Sequence, residues 1–457
     1  DSTRFKKFSR RAIFLAGGQL AFFGLLAGRM YQLQVLESGR YKTLAEDNRI
    51  NIRLLTPKRG RILDRSGVPL VLNRENYRVL LIAEKTGDVK KTLEALGKLI
   101  FLSENENRRI LSEIKRRRSF VPVTIQENLD WQKVSQIEVN APELPGIIID
   151  VAERREYPLG AGSAHLLGYV ASVSPKDIIR NRSDDPLLEL PGFRVGKSGI
   201  EYAKETQLIG RYGIKRYEVN SSGKRISQID YIKETQGEKI KLTIDLEVQK
   251  HISEVLEDKA ASVCVMDIYN GDIITMVSSP SYDPNSFVHG IDKKYWNELI
   301  SNEKKPLNNK AIAGLYPPGS TIKIIVALSA LENGIWNPKK YLNCTGVTEL
   351  YGEKFHCWKK KGHGPMNLRS AIQRSCDVYF YEVARLLGVD RLSETAKKFG
   401  LGKKVLEGFI EERAGVVPST AWKRKFIGKN WYLGETLHSG IGQGYFQSTP
   451  LQLCLMT

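Results

Sequence analysis

The chain has 457 residues, of which 41% are hydrophobic and 26% charged, and its formal net charge is +19. This length suits two or three domains, and the composition excludes an intrinsically disordered chain. Lysine and arginine are spread along the chain, and the sequence contains no zinc-finger, RNA-recognition or basic-zipper pattern. We therefore expect no nucleic-acid partner, and an anionic lipid or polymer suits the charge better.

A basic and then apolar segment opens the chain. Five basic residues within residues 4–11 precede an apolar run over residues 12–28, which is close to the minimum of about 17 residues for a membrane-spanning helix. We predict a cytoplasmic tail over residues 1–11 and a transmembrane signal anchor over residues 12–34, because positive charge stays on the cytoplasmic side. A cleavable signal peptide is the alternative, but no clear small-x-small cleavage site follows the run.

The next stretch predicts a non-catalytic module over residues 45–235. It is basic and rich in turn residues, with a strand-like run at residues 77–82 and a charged helical run at residues 104–118. These features indicate an elongated module.

The character of the chain changes near residue 239, where we predict a second domain over residues 239–457. A helical run at residues 246–259 leads into two β-rich runs joined through Asn270 and Gly271. Asn-Gly between two such runs is a strong hairpin signal. Further helices follow, which predicts a domain built on an antiparallel sheet.

Ser320 and Lys323 stand three residues apart at the predicted start of an apolar helix. Pro317, Pro318 and Gly319 interrupt the preceding structure, and Asn333-Gly334 predicts the helix end. Residues at this spacing share a helix face, so the hydroxyl and the amine can approach each other in an apolar setting that frees the lysine as a base. The helix N-terminus favours an oxyanion forming at the serine.

Ser-x-x-Lys is a short pattern and occurs three times. The copies at Ser221 and Ser301 lie in polar, turn-rich segments and are expected to be solvated loop residues. Only the copy at Ser320 is followed by an apolar helix.

Several longer segments carry a family resemblance. They lie at residues 59–70, 155–158, 165–170, 199–201 and 440–444, and in that order they resemble the class B penicillin-binding proteins, which are membrane-anchored D,D-transpeptidases that cross-link peptidoglycan. The resemblance covers almost the whole chain. It implies an α+β protein with an N-terminal transmembrane helix, an elongated, mainly β pedestal (penicillin-binding protein dimerisation) domain, and a serine β-lactamase-like transpeptidase domain of antiparallel sheet flanked by helices.

The resemblance predicts a second catalytic motif at Ser375, Cys376 and Asp377, between helical segments at residues 368–374 and 378–387. A hydroxyl near Lys323 can relay the proton from Ser320 to the leaving amine, and the carboxylate can orient the hydroxyl or the lysine. Aspartate in the third position resembles the elongation-specific members, because septal members usually carry asparagine there.

The third family motif, Lys-Thr-Gly, marks a departure. One copy lies at residues 85–87, far before the nucleophile, and we interpret it as a solvated turn. In the family the motif follows the Gly-Gln-Gly segment, so we expect the transpeptidase domain written here to be C-terminally incomplete and to lack half of its oxyanion hole. We therefore predict that penicillin acylates Ser320 in the complete protein, but not in a chain that ends at Thr457.

Three cysteines and a histidine cluster between the two catalytic motifs. Cys344, Cys357, His363 and Cys376 form a complete tetrahedral donor set, which predicts a structural zinc site. His356 is an alternative ligand. A disulfide between Cys344 and Cys357, with Cys376 a free thiol, remains the alternative in an oxidising compartment. No cofactor is expected for the chemistry itself.

The resemblance implies a D,D-transpeptidase that acts on peptidoglycan stem peptides during cell elongation and is inhibited by β-lactams. Two other functions stay open, namely a β-lactam-hydrolysing or β-lactam-sensing relative and a non-catalytic scaffold. The implied location is the bacterial inner membrane, crossed once, with the N-terminus cytoplasmic and the bulk periplasmic. The implied partners are a membrane glycosyltransferase and a rod-shape protein.

Overall fold

The structure is a computed structural model that describes residues 10–36, 50–116, 119–181, 185–190, 192–219, 225–257, 259–288 and 290–457. The chain divides into two compact units. One contains residues 1–58 and 210–236, and the other contains residues 59–209 and 237–457.

The first unit contains the N-terminal apolar segment and a three-stranded sheet. The apolar segment forms the helix Arg10–Tyr31, which continues as a short π-helix over Gln32–Leu36. Within the described residues, bilayer-spanning length and sufficient apolarity do not occur together in any helix. The sheet is antiparallel, and its strands in spatial order are Ile50–Leu55, Gly213–Val219 and Arg225–Ile232.

A longer sheet forms the first part of the second unit. Its central strand, Pro69–Leu81, includes most of the predicted strand and pairs antiparallel with Val123–Leu129 and Ile147–Glu156. Short strands at Ile62–Leu63 and Ile240–Lys241 extend this sheet. Three helices contribute to its core together with the strands, namely Val89–Gly97, Glu104–Arg116 and Trp131–Val139. The sequence predicted only the second of these helices, so this part of the chain is more helical than expected.

A second core joins residues from both stretches of the second unit. Ile62 and Leu167 from the first stretch and Ile244 and Met276 from the second belong to one buried cluster. Short elements between them are Ala164–Leu167, Val170–Ser172, Pro175–Asn181, Pro186–Glu189, Arg194–Gly196, Gly199–Ala203 and Glu205–Ile209. The two stretches therefore share a hydrophobic core.

The predicted hairpin opens the remaining part of the second unit. Helix Leu246–Leu256 begins after Asp245, whose carboxylate accepts a hydrogen bond from the Val248 N–H. Strands Ala261–Met266 and Ile273–Ser279 then pair antiparallel, with Gly271 at φ +77° in the predicted turn. Two short antiparallel pairs lie further along, Leu342–Cys344 with Gly364–Met366 and Val347–Leu350 with Glu353–His356.

Helices make up most of the rest of this unit. They are Pro284–Val288, Lys293–Ser301, Lys310–Ala313, Lys323–Glu332, Leu368–Gln373, Asp377–Leu387, Val389–Lys398, Thr420–Ile427, Leu433–Gly440 and Pro450–Met456. Lys323–Glu332, the nucleophile helix, contributes Ile325 and Val326 to a third core, which also contains Tyr379 and Phe380 of the helix Asp377–Leu387. This packing sets the two predicted catalytic motifs side by side.

Candidate active site

Ser320 lies on a tight turn immediately before the nucleophile helix. Residues Gly319–Ile322 form a 3₁₀ turn, and the α-helix begins at Lys323. The helix ends at Glu332 with Asn333 as its C-cap, and Gly334 follows with φ +64°, as the Asn-Gly pair predicts. The 3₁₀ turn differs from the predicted α-helical start and places Ser320 just outside the regular helix.

Two glycines hold this turn in place. The N–H of Gly319 donates to the carbonyl oxygen of Gly442 over 2.9 Å, and both residues have positive φ angles, +58° and +70°. A Cβ on Gly442 would overlap the backbone of Gly319. The Gly-Gln-Gly segment therefore supports the Ser320 turn through a backbone contact that only glycine permits.

Ser375 is held in an unusual backbone conformation between two helices. Its φ angle is +49°, in the left-handed region that non-glycine residues rarely adopt. The turn is closed by backbone hydrogen bonds from Ser375 N to Ile372 O and from Cys376 N to Ala371 O. Such a conformation persists only where the surroundings hold it, and it is common at functional sites.

A line of hydrogen bonds joins the two motifs. The Ser375 hydroxyl lies 2.9 Å from Ser320 Oγ and 3.0 Å from Lys323 Nζ. Lys323 Nζ also donates to the Ser375 carbonyl over 3.0 Å and to Asp377 Oδ1 over 2.6 Å. Among the hydrogen bonds of the described residues, none joins Ser320 Oγ directly to Lys323 Nζ. The direct approach that the i, i+3 spacing suggested is thus replaced by a connection through Ser375.

The surroundings of Lys323 are less apolar than the sequence indicates. The residue is only 2% exposed, and its Nζ lies 5.7 Å from the ring centre of Phe380. Its ammonium group is nevertheless paired with the Asp377 carboxylate. The sequence left open whether the Asp377 carboxylate orients the hydroxyl or the lysine, and in the structure it contacts the lysine.

Trp358 is a contact of the site that sequence reasoning missed. Its backbone N–H donates to Asp377 Oδ2 over 2.9 Å. Its indole N–H lies within hydrogen-bonding distance of two carbonyl oxygens in the Ser375 turn. The only signal in the sequence is its position next to Cys357.

The three cysteines and the histidine come together beside this site. Cys344, Cys357, His363 and Cys376 are all buried, and one ligand atom from each lies within 4.8 Å of the others. His363 Nδ1 is 3.8 Å from Cys344 Sγ and 3.5 Å from Cys357 Sγ. Tetrahedral zinc, with bonds of about 2.3 Å to sulfur and about 2.0–2.1 Å to nitrogen, separates such atoms by about 3.5–3.8 Å. The donor set and its spacing therefore fit zinc, whereas His356 is exposed and lies outside the group.

Protonation at this group of residues follows from burial. Burial, and then the positive charges of Lys359 and Arg374, lower the pKa of His363, which favours the neutral imidazole that binds metals. Burial raises the pKa of the Cys376 thiol. All five cysteines of the chain are free thiols in the structure.

The remaining short motifs lie apart from this arrangement. Ser301 is exposed at the end of the helix Lys293–Ser301, and Lys304 is exposed just beyond it. The copy at Ser221 and Lys224 lies outside the described residues. Lys85 closes a short 3₁₀ helix and Thr86 caps it. None of these four described residues takes part in the hydrogen bonds that join Ser320, Lys323, Ser375 and Asp377.

Two domain families match the chain. The Penicillin-binding Protein dimerisation domain matches residues 54–242, and the Penicillin binding protein transpeptidase domain matches residues 261–457. Together they account for the pedestal segment and for the region that contains the catalytic group.

Individual proteins agree with these matches. Peptidoglycan D,D-transpeptidase MrdA of Escherichia coli (strain K12) is 38% identical over 449 residues, which cover 98% of this chain and 71% of that protein. A solved complex between Penicillin-Binding Protein (PBP2) and MreC from Helicobacter pylori has a TM-score of 0.80 and 30% identity, and the match covers 88% of this chain and 76% of that chain. A structure titled for the coordination of polymerization and crosslinking by a peptidoglycan synthase complex has a TM-score of 0.64 and 28% identity, covering 97% of this chain and 76% of that chain. The chain therefore belongs to the class B penicillin-binding proteins.

Proposed function

We propose that this protein is a peptidoglycan D,D-transpeptidase that works through an acyl-serine intermediate on Ser320. The observation that carries the proposal is the unbroken hydrogen-bonded line from Lys323 Nζ through Ser375 Oγ to Ser320 Oγ. A serine hydroxyl is a weak nucleophile until a neighbouring group removes its proton. This line gives the proton a path to an amine.

The reaction starts when Ser320 Oγ attacks the carbonyl carbon of the terminal D-Ala-D-Ala bond in a stem peptide. Lys323 Nζ, which is paired with Asp377 as an ammonium, first releases a proton to solvent. The serine proton then passes to Ser375 Oγ as the Ser375 proton passes to the neutral Nζ. Collapse of the tetrahedral intermediate breaks the C–N bond, and the proton returns along the same path to the departing D-alanine. The amine of a neighbouring stem peptide then attacks the acyl-serine, which forms the cross-link and frees Ser320.

Asp377 and the nucleophile turn support these steps. Asp377 Oδ1 holds Lys323 Nζ within reach of the Ser375 hydroxyl. Because Ser320 lies on a turn at a helix N-terminus, the negative charge that forms on the substrate oxygen meets favourable backbone dipoles. β-Lactams place a carbonyl carbon at the same point and acylate the same hydroxyl.

Experiments on the full-length protein distinguish three candidate functions. A transpeptidase joins two stem peptides and keeps a long-lived penicillin adduct, whereas a β-lactam-hydrolysing enzyme releases the adduct rapidly. A non-catalytic scaffold would support cell elongation with Ser320→Ala in place. Loss of both cross-linking and elongation in the Ser320→Ala strain is the result that the proposal requires.

We also propose a structural zinc ion at Cys344, Cys357, His363 and Cys376. Four protein donors leave no open position, so the ion supplies no catalytic chemistry. It would instead tie the segment before the second motif to Cys376, next to Ser375 and Asp377. Burial of all four donors and the spacing of their ligand atoms support this.

Metal analysis together with thiol counting tests the zinc proposal. We expect one zinc per chain in the wild type and loss of that zinc in Cys376→Ser. Cys264→Ser provides the matched control, since Cys264 lies on the strand Ala261–Met266 and outside the group. A metal-free protein with a Cys344–Cys357 disulfide would contradict the proposal.

We propose further that the N-terminal helix anchors the protein in the bacterial inner membrane, with the catalytic part in the periplasm. Its large apolar side chains are exposed, among them Phe14 at 81% and Leu25 at 75%, and basic residues precede it. Removal of residues 12–34 should release the protein from sedimented membranes. Recovery of that variant in the membrane fraction would contradict the anchor.

Two similar proteins suggest partners for this chain. A PBP2 of Helicobacter pylori is solved in complex with MreC, and another similar chain comes from a peptidoglycan synthase complex. We propose that this chain likewise engages a rod-shape protein and a membrane glycosyltransferase. Co-purification of both proteins with the tagged full chain from crosslinked cells tests the two contacts, and the absence of either protein would contradict the corresponding contact.

A further inference from the structure

Trp358 is bonded to both residues of the second catalytic motif that face Lys323. Its backbone N–H donates to Asp377 Oδ2 over 2.9 Å. Its indole N–H is 3.0 Å from the Ser375 carbonyl oxygen and 3.2 Å from the Arg374 carbonyl oxygen. Trp358 thus contacts both the Asp377 carboxylate, which pairs with Lys323, and the backbone of Ser375, whose hydroxyl is hydrogen-bonded to Ser320.

Lys323 and Trp358 share their acceptors. Lys323 Nζ occupies Asp377 Oδ1, while Trp358 occupies Asp377 Oδ2. Both donate to the Ser375 carbonyl oxygen, each over 3.0 Å. The carboxylate and the carbonyl are therefore each held by two donors, which restricts rotation of Asp377 and movement of the Ser375 turn.

The conformation of Ser375 explains why such support matters. A left-handed conformation is unfavourable for a non-glycine residue because its Cβ crowds the backbone carbonyl oxygen, and Ser375 has φ +49°. Without external support the turn can relax, and relaxation would move the hydroxyl that lies between Ser320 and Lys323. The indole N–H of Trp358 donates to the carbonyl oxygens of Arg374 and Ser375, which lie on either side of the Ser375 Cα.

Burial does not account for Trp358. The residue is 65% exposed, so its removal from water contributes little to folding. Its ring packs against His363, with centroids 5.3 Å apart. The hydrogen bonds to the catalytic turn are thus the main feature that distinguishes it from an ordinary surface tryptophan.

We propose that Trp358 is a positioning residue that holds Ser375 and Asp377 in register with Ser320 and Lys323 for acylation. The proposal rests on the acyl-serine function proposed above. It assigns the support of Ser375 to the indole N–H and the support of Asp377 to the backbone N–H, and it requires no contact between Trp358 and the substrate.

The test replaces the indole N–H and leaves the ring. In the full-length protein, Trp358 is replaced by 3-benzothienylalanine, which keeps the fused-ring shape and lacks the donor. Penicillin acylation is followed by stopped-flow fluorescence, which separates the dissociation constant of the non-covalent complex from the acylation rate constant. Trp296→Phe serves as the matched control, because Trp296 lies on the helix Lys293–Ser301 and contacts Phe287.

We expect the benzothienyl variant to acylate about tenfold more slowly, the effect of losing one hydrogen bond in a preorganised site. Its dissociation constant, melting temperature and metal content should match the wild type, and Trp296→Phe should acylate at the wild-type rate. Wild-type acylation in the benzothienyl variant would overturn the proposal, as would a change confined to the dissociation constant. A parallel fall in melting temperature or metal content would assign Trp358 a structural role and also overturn it. Persistent labelling of Ser320→Ala would instead refute the acyl-serine function itself.

Discussion

Asp377 shows how a single side chain can organise two catalytic neighbours. One carboxylate oxygen pairs with Lys323 and the other accepts the Trp358 N–H. Both members of the ion pair are largely buried, with side-chain exposures of 3% for Lys323 and 13% for Asp377. Removal of one partner from such a pair leaves a buried charge without compensation.

Asp377→Ala should therefore destabilise the protein as well as slow acylation. We expect the free energy of unfolding to fall by about 3 kcal/mol, the lower end for a broken buried pair. The matched control is Glu332→Ala, which removes the carboxylate from the exposed pair with Lys398. Its cost should stay below about 1 kcal/mol because solvent screens that pair. Equal costs in urea denaturation would contradict the buried pair.

His165 makes the stability of the fold depend on pH. Burial, and then the charge of Lys310, lower its pKa from 6.5 to about 4. Between these two values the unfolded chain binds a proton that the folded chain does not, so stability falls as the pH drops from about 6.5 to about 4. His165→Gln should flatten this part of the stability curve. A curve with unchanged slope would show that another group is responsible.

At the scale of elements, the sequence predicts the nucleophile helix well and its start poorly. The apolar run predicts the helix, and the Asn-Gly pair predicts where it ends. The 3₁₀ turn at Ser320 depends on Gly442, more than a hundred residues away, so local propensity cannot reveal it. The same limit applies to Trp358, which reaches Ser375 only through the fold. Proximity of Ser320 to Lys323 is evident from their spacing, whereas the link through Ser375 is predicted only by the family resemblance.

Gly442→Ala tests the contact between the Gly-Gln-Gly segment and the Ser320 turn. A Cβ at this position would overlap the Gly319 backbone and displace the turn, so we expect acylation to slow at least tenfold. Gly444→Ala is a close control, with φ +71° against +70° for Gly442. Its added Cβ would meet only His438, at 3.4 Å. If both variants lost activity equally, backbone strain rather than the contact would be the cause.

On the scale of the whole molecule, a buried ionic group joins three of the five segments that carry the family resemblance. Glu201 is fully buried and accepts hydrogen bonds from Arg59 and Arg155, each over 2.7 Å. Arg59 also pairs with Glu205. The positive charge of the two arginines outweighs burial and lowers the pKa of Glu201. The carboxylate therefore stabilises the fold above its unfolded pKa, and this contribution is lost as the pH falls through the lower folded value.

Glu201→Ala should destabilise the second unit as a whole. It leaves Arg155 buried without its carboxylate, and we expect a loss of about 3–5 kcal/mol. Glu156→Ala removes the partner of Arg74 from a largely exposed pair and should cost less than about 1 kcal/mol. Calorimetric unfolding of both variants makes the comparison. A loss below 1 kcal/mol for Glu201→Ala would show that the group contributes little to stability.

The central claim is that Ser320 is the nucleophile and that Ser375 connects it to Lys323. Intact-mass analysis of the full-length protein after incubation with penicillin tests this most directly, with Ser320→Ala and Ser375→Ala alongside the wild type. We predict one stable adduct on the wild type, none on Ser320→Ala, and adduct formation at least a hundredfold slower on Ser375→Ala. An adduct on Ser320→Ala, or wild-type acylation by Ser375→Ala, would contradict it.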